Sequence, residues 1–77
     1  MSVNDLPVPG KPLLVIFVTV DSAGFFEKSL PGLARHSLKV NDYRRMFELM
    51  SRDGWWYSGA FNLSSGETVY VFQREQT

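Results

Sequence analysis

The residues from Leu13 to Val20 constrain the fold more than any other part of the chain. They read Leu-Leu-Val-Ile-Phe-Val-Thr-Val, a run rich in β-branched side chains, which favour extended backbone. Apolar residues occupy both alternating sets of positions, a pattern typical of a strand that is covered on both faces. The run is also far shorter than a membrane-spanning segment. We therefore predict an interior β-strand here, with a sheet built around it.

The rest of the composition predicts a single small domain. The chain has 77 residues, of which 44% are hydrophobic, and this suits one packed core. Residues 1–12 contain three prolines and a glycine, so we expect a flexible lead-in followed by one domain over residues 13–77. There is no cysteine and no basic leader before an apolar run, so a soluble, cytoplasmic protein without a membrane partner is expected.

The sequence also predicts an amphipathic helix over about residues 41–53. Asn41 is the expected N-cap, and Asp42 suits the positive end of the helix dipole. Gly54 is expected to end the helix in a left-handed conformation. The apolar residues at positions i, i+3, i+4 and i+7 form one stripe, which consists of Tyr43, Met46, Phe47 and Met50.

A β-hairpin is predicted after the helix. One strand runs from Trp55 to about Asn62 and the other from Glu67 to Arg74, and both are rich in aromatic or β-branched residues. A two-residue loop at Ser65-Gly66 would place Phe61 opposite Tyr70.

Residues 25–40 give a weaker pattern. Phe25 to Leu30 fits a short helix or a loop, and Pro31-Gly32 would end it. A short strand over residues 36–40 is expected because Leu38 and Val40 alternate with polar residues. Together these patterns predict an α+β domain. Its antiparallel sheet of three to four strands packs on one main helix and ends in the C-terminal hairpin.

Two short motifs point to a known family. The helix ends at Gly54-Trp55, and the last strand ends in Val71-Phe72-Gln73-Arg74. Over residues 46–74 the chain resembles a family of short bacterial and phage-borne domains of unknown function, which end in a Val-Phe-Lys-Arg-like signature. The family usually has a polar or acidic residue where this chain has Trp56. The resemblance implies a strand, helix and hairpin fold, and it implies no activity and no catalytic residue.

No group of side chains predicts catalysis. His36 is the single histidine and there is no cysteine, which excludes the common nucleophile triads, thiolate zinc sites and His-rich metal sites. The glycines match neither of the usual phosphate-binding loops. We therefore expect a protein that is not an enzyme and that holds no cofactor or metal.

A nucleic-acid-binding domain is the alternative function. Eight basic and eight acidic side chains cancel, so the chain lacks the overall positive charge that usually recruits nucleic acid. A local basic segment over residues 35–45 could nevertheless contact phosphates while aromatic side chains of the sheet stack on bases. The segment contains His36 and the four predicted contact residues Arg35, Lys39, Arg44 and Arg45.

The preferred interpretation is a non-catalytic protein-binding or regulatory module. An inhibitor or adaptor carried by a phage or other mobile element would fit it. The single helix covers only one face of the sheet, so another protein is expected to cover the second face. A second copy of the chain is the simplest cover, which predicts a homodimer. The predicted contact residues are Trp56, Ala60, Val69 and Val71.

Overall fold

A five-stranded antiparallel sheet carries one helix on one of its faces. The computed structural model describes residues 12–30 and 34–75. The elements are β1 (Leu13–Val20), β2 (Phe26–Ser29), β3 (His36–Ser37), α1 (Tyr43–Arg52), β4 (Trp56–Asn62) and β5 (Thr68–Glu75). The strand order is β3-β2-β1-β5-β4. The α+β class is confirmed, with five strands instead of the three to four predicted. Residues 1–11 of the predicted lead-in lie outside the described residues.

Strand β1 lies in the middle of the sheet, as its apolar run predicted. It pairs with β2 on one side and with β5 on the other. Ile16 and Val18 face α1 and are buried in the core. The odd-numbered residues of β1 face the opposite side of the sheet, because side chains alternate along a strand.

Strand β2 shows that the helix-or-loop prediction for residues 25–30 was wrong. The carboxylate of Asp21 accepts hydrogen bonds from two backbone N–H groups of the turn after β1, each at 2.9 Å. This turn folds the chain back against β1, so that Phe26 lies opposite Val20 and is buried in the core. The four-residue spacing of Phe26 and Leu30 resembled a helix, but pairing with β1 satisfies more backbone groups than one isolated helical turn would.

Strand β3 is shorter than the predicted strand over residues 36–40. Only His36 and Ser37 belong to it, although the Leu38 N–H still donates to the Phe26 carbonyl at 2.8 Å. Lys39 has a φ of 58°, a left-handed value that interrupts extended backbone.

Helix α1 is shorter than the predicted range of 41–53, and its N-cap is Asp42 instead of Asn41. Met46 and Met50 are buried against the sheet, as the apolar stripe predicted, whereas Tyr43 in the first turn is 55% exposed. Gly54 has a φ of 83°, which confirms the left-handed end of the helix. The Gly54 N–H donates to the Ser51 carbonyl, and the Trp55 N–H donates to the Met50 carbonyl, each at 3.0 Å. These two hydrogen bonds form a Schellman motif.

The hairpin of β4 and β5 has a different register from the predicted one. Its loop has three residues, closed by bonds from the Gly66 N–H to the Leu63 carbonyl and from the Leu63 N–H to the Glu67 carbonyl. An irregularity at Ser58 shifts the register again. Phe61 consequently lies opposite Val69, and Ala60 lies opposite Tyr70.

Candidate functional site

The side of the sheet that faces away from α1 is a surface of apolar side chains, which we call the open face. Three strands contribute to it, because β1, β4 and β5 lie next to one another in the sheet. No helix among residues 12–30 and 34–75 packs on this side. The apolar residues of the open face are Leu13, Val15, Phe17, Trp56, Phe61, Val69 and Val71.

Several large side chains of the open face contact solvent. Leu13, Trp56 and Phe61 are 42%, 45% and 47% exposed. The rings of Phe17 and Phe61 meet edge to face, with centroids 6.5 Å apart, so the patch continues from β1 to β4. An apolar area of this kind is typical of a binding surface when it is contiguous.

The structure places three of the four predicted interface residues on the open face. Trp56, Val69 and Val71 lie there, and Val69 is buried by its neighbours. Ala60 lies on the helix side, because the three-residue loop and the irregularity at Ser58 shift the pairing of β4. Phe61 takes the place that the sequence had assigned to Ala60.

A shallow concavity of about 180 Å³ opens on this face. Phe17, Phe61 and Val69 contribute apolar surface to it. Arg35 lies on the side of β1 that carries β2 and β3, and Glu67 lies on the side that carries β5. The concavity therefore has an apolar floor with opposite charges on its two sides.

The aromatic side chains on the other side of the sheet belong to the packing of α1. The ring of Tyr70 meets those of Phe26, Tyr43 and Phe47 edge to face, with centroids 5.7 to 6.3 Å apart. Burial and, to a smaller extent, a hydrogen bond with Tyr43 raise the pKa of Tyr70 to about 12. Phe26, Phe47 and Tyr70 pack in this cluster and are not free to stack on the bases of a nucleic acid, whereas Tyr43 is 55% exposed.

The basic residues predicted for nucleic-acid binding do not meet in one patch. The guanidinium of Arg35 lies 3.8 Å from the Glu27 carboxylate, on the side of the open face. Arg44 and Arg45 lie on α1, which covers the opposite side, and Arg45 is paired with Glu48 at 3.1 Å. Lys39 is in the loop before α1. Nucleic-acid binding stays a prediction, without a common surface for these four residues.

A second cavity, of about 210 Å³, lies on the helix side of the sheet at the end of α1, and sequence reasoning missed it. We call it the Arg74 pocket. The Arg74 guanidinium lies 4.3 Å from the centre of the Trp55 ring and donates a 2.7 Å hydrogen bond to the Asp53 carbonyl. One available signal was a single arginine that follows Tyr70 and Phe72 in the row of β5 that faces the helix. The pocket is lined by Ile16, Lys28, Leu30, Ala34, His36, Asp53, Trp55 and Arg74.

Within the described part of the chain, no three His, Asp or Glu side chains come close enough to hold a metal ion. No described helix is long and apolar enough to cross a membrane. Comparison with known proteins gave no match: no family model, no curated protein and no solved structure is significantly similar to this chain. The family resemblance over residues 46–74 therefore stays a prediction.

Proposed function

We propose that this protein is a non-catalytic protein-binding module that acts through the open face, and that a second copy of the chain is a partner. The observation that carries the proposal is the exposed apolar surface opposite α1, which is continuous from Phe17 to Phe61 and in which Gln73 lies between Val15 and Trp56. Trp56 and Phe61 are nearly half exposed on its edge strand β4, and aromatic side chains of this kind commonly anchor protein interfaces. Removing this surface from water favours association roughly in proportion to the area buried.

The charges of the chain support a second copy as the occupant. The formal net charge is zero, so two copies do not repel each other through their overall charge. Arg35 and Glu67 lie on opposite sides of the apolar floor. If two open faces pack around a two-fold axis parallel to the strands, Arg35 of each copy approaches Glu67 of the other. One self-complementary patch is sufficient for such a closed dimer.

The packing of two sheets gives this dimer a familiar geometry. Sheets that pack face to face keep their strands within about 30° of each other, and side chains from both inner faces interdigitate. Phe17 and Phe61 project from neighbouring parts of the open face and would interlock with the same pair in the other copy. A protein of another sequence could bind the same face in competition with the dimer, which is how a small regulatory module could exchange partners.

Sedimentation equilibrium at tens of micromolar tests the proposal. The unmodified protein should approach the mass of two chains, and Trp56→Glu should stay near the mass of one, because it places an unpaired charge in the contact. Arg44→Gln is the matched control, because it gives the same net charge of about −1 from an exposed position on α1. This control should remain dimeric.

Phe61→Glu separates the open face from a local effect at Trp56. This variant changes the same surface near the other end of β4 and should also yield single chains. A mass near one chain for the unmodified protein over the whole concentration range would refute self-association. A dimer that persists in both variants would place the contact outside the open face.

A further inference from the structure

The Arg74 pocket combines an apolar wall with an excess of positive charge. Ile16 and Trp55 are buried core residues whose edges line the cavity, and Leu30 adds further apolar surface. Lys28 and Arg74 contribute two positive charges against the single carboxylate of Asp53. The pocket is on the helix side of the sheet, so it is independent of the open face.

Among the described residues, the contacts that hold Arg74 in place occupy few of its hydrogen-bonding groups. The Arg74 guanidinium lies over the Trp55 ring, and one of its N–H groups donates to the backbone carbonyl of Asp53. That acceptor carries no formal charge, and within residues 12–30 and 34–75 Arg74 forms no salt bridge. A guanidinium has five N–H groups in a fixed plane, and two of them match the two oxygens of a carboxylate.

The acidic residue of the pocket does not neutralise both cations. The carboxylate of Asp53 lies 4.0 Å from the Lys28 ammonium, at the limit of an ion pair, and its side chain is 57% exposed. The pair is therefore loose and screened by solvent. The bond from Arg74 to the carbonyl of Asp53, the C-cap of α1, offsets the negative end of the helix dipole, which would otherwise oppose an anion.

The size and walls of the pocket restrict what it would hold. Its volume of about 210 Å³ is below that of cavities for drug-sized ligands, which begin at about 300 Å³. An inorganic anion would leave the apolar surface of Ile16, Leu30 and Trp55 unfilled. A neutral hydrocarbon would leave the Arg74 charge without a partner. We infer that the Arg74 pocket binds a carboxylate attached to one small apolar group, with the carboxylate on Arg74 and the apolar group against Trp55.

The fluorescence of Trp55 provides a direct measurement. Trp56 is on the open face, so a Trp56→Phe variant leaves Trp55 as the only tryptophan, and its emission then reports the pocket alone. The probe is benzoate, and benzamide is the control because it has nearly the same shape without the charge. Benzoate should give a saturable change with a Kd of about 1 mM, which is typical of a single-ring fragment. Benzamide should bind about tenfold more weakly or worse. Equal binding of the two probes, or no saturable change with benzoate, would overturn the inference.

Variants locate the binding residue. Arg74→Gln should weaken benzoate about tenfold, because it removes the charge-assisted hydrogen bonds. Arg44→Gln removes the same charge at the other end of α1 and should leave the Kd unchanged. If Arg74→Gln fails to fold, Lys28→Gln replaces it as the test and should weaken benzoate by a smaller factor of about two to three. Unchanged affinity in a folded Arg74→Gln protein would contradict the assignment.

The carboxylate could belong to a free small acid or to the C-terminus of a peptide. The tripeptide Ala-Ala-Phe, with its N-terminus acetylated, is the second probe, and its amidated form is the control. If the free-acid peptide binds at least as tightly as benzoate and the amide does not, the pocket takes chain ends. If benzoate binds and neither peptide does, it takes free acids. If none of the three binds, the inference is refuted.

Discussion

Gly54 is the residue whose replacement tests the local geometry of the fold most directly. It lies between the end of α1 and the two tryptophans, which face opposite sides of the sheet. Its φ of 83° is in the left-handed region, and the N–H groups of Gly54 and Trp55 both bond back into the last turn of α1. This helix end places Trp55 in the core, where it is 7% exposed, and leaves Trp56 as the first residue of β4.

The expected cost of Gly54→Val follows from the backbone, because a Cβ atom built on Gly54 has no other atom within 4 Å. Steric clash of the added Cβ atom with the rest of the protein therefore adds nothing. A residue with a side chain pays about 1 to 2 kcal/mol in the left-handed region. Replacing glycine also reduces the conformational freedom of the unfolded chain, which offsets about 0.4 to 1 kcal/mol of this cost. We expect a net loss of about 1 kcal/mol for Gly54→Ala and more than about 1 kcal/mol for Gly54→Val, whose branched side chain is stiffer.

Urea and thermal unfolding, followed by circular dichroism, measure these losses. A loss of about 1 kcal/mol lowers Tm by roughly 4 to 8 °C in a domain of this size. Gly54→Asn should lose less than Gly54→Ala, because asparagine tolerates left-handed backbone. Ser51→Ala, on the exposed side of α1, is the control and should change stability by less than about 0.5 kcal/mol. An unchanged Tm for Gly54→Val would refute the argument.

Two further predictions concern the core and the effect of pH. Met46 is fully buried, so Met46→Ala should lower the free energy of unfolding, measured in urea, by about 2 to 5 kcal/mol. The control Arg44→Ala changes an exposed side chain and should lower it by less than about 0.5 kcal/mol. Similar losses in the two variants would contradict this packing. The pKa of Tyr70 is raised to about 12 from 10.0, so the folded protein holds the hydroxyl proton of Tyr70 more tightly than the unfolded chain does. This difference stabilises the fold below pH 10, and the stabilisation should be lost as the pH rises toward 12. The titration curve of Tyr70 is the tyrosinate absorbance of the unmodified protein minus that of the Tyr70→Phe variant. Its midpoint should be near pH 12. A midpoint near pH 10 would contradict the burial of Tyr70.

The open face could be predicted from the sequence to a larger extent than the Arg74 pocket. The alternation of β1 already indicated that Leu13, Val15 and Phe17 would share a face that one helix could not cover. The Arg74 pocket depends on contacts between residues that are distant in the chain, since Trp55 and Arg74 meet only when β5 packs under the end of α1. No pattern in either segment predicts that distance.

The sequence by itself determined the elements whose signals are local. The apolar run of β1, the stripe of α1 and the left-handed Gly54 were all predicted, because each depends on residues within a few positions of one another.

Tertiary structure alone decided what depends on pairing between distant segments. Residues 26–29 became a strand because β1 offered its free edge. One extra residue in the hairpin loop and the irregularity at Ser58 exchanged the faces of Ala60 and Phe61. Side chains alternate with a period of two along a strand, so a shift of one residue moves each of them to the other side of the sheet. Local propensity cannot fix such a register, because it is set by the fit of whole strands against one another.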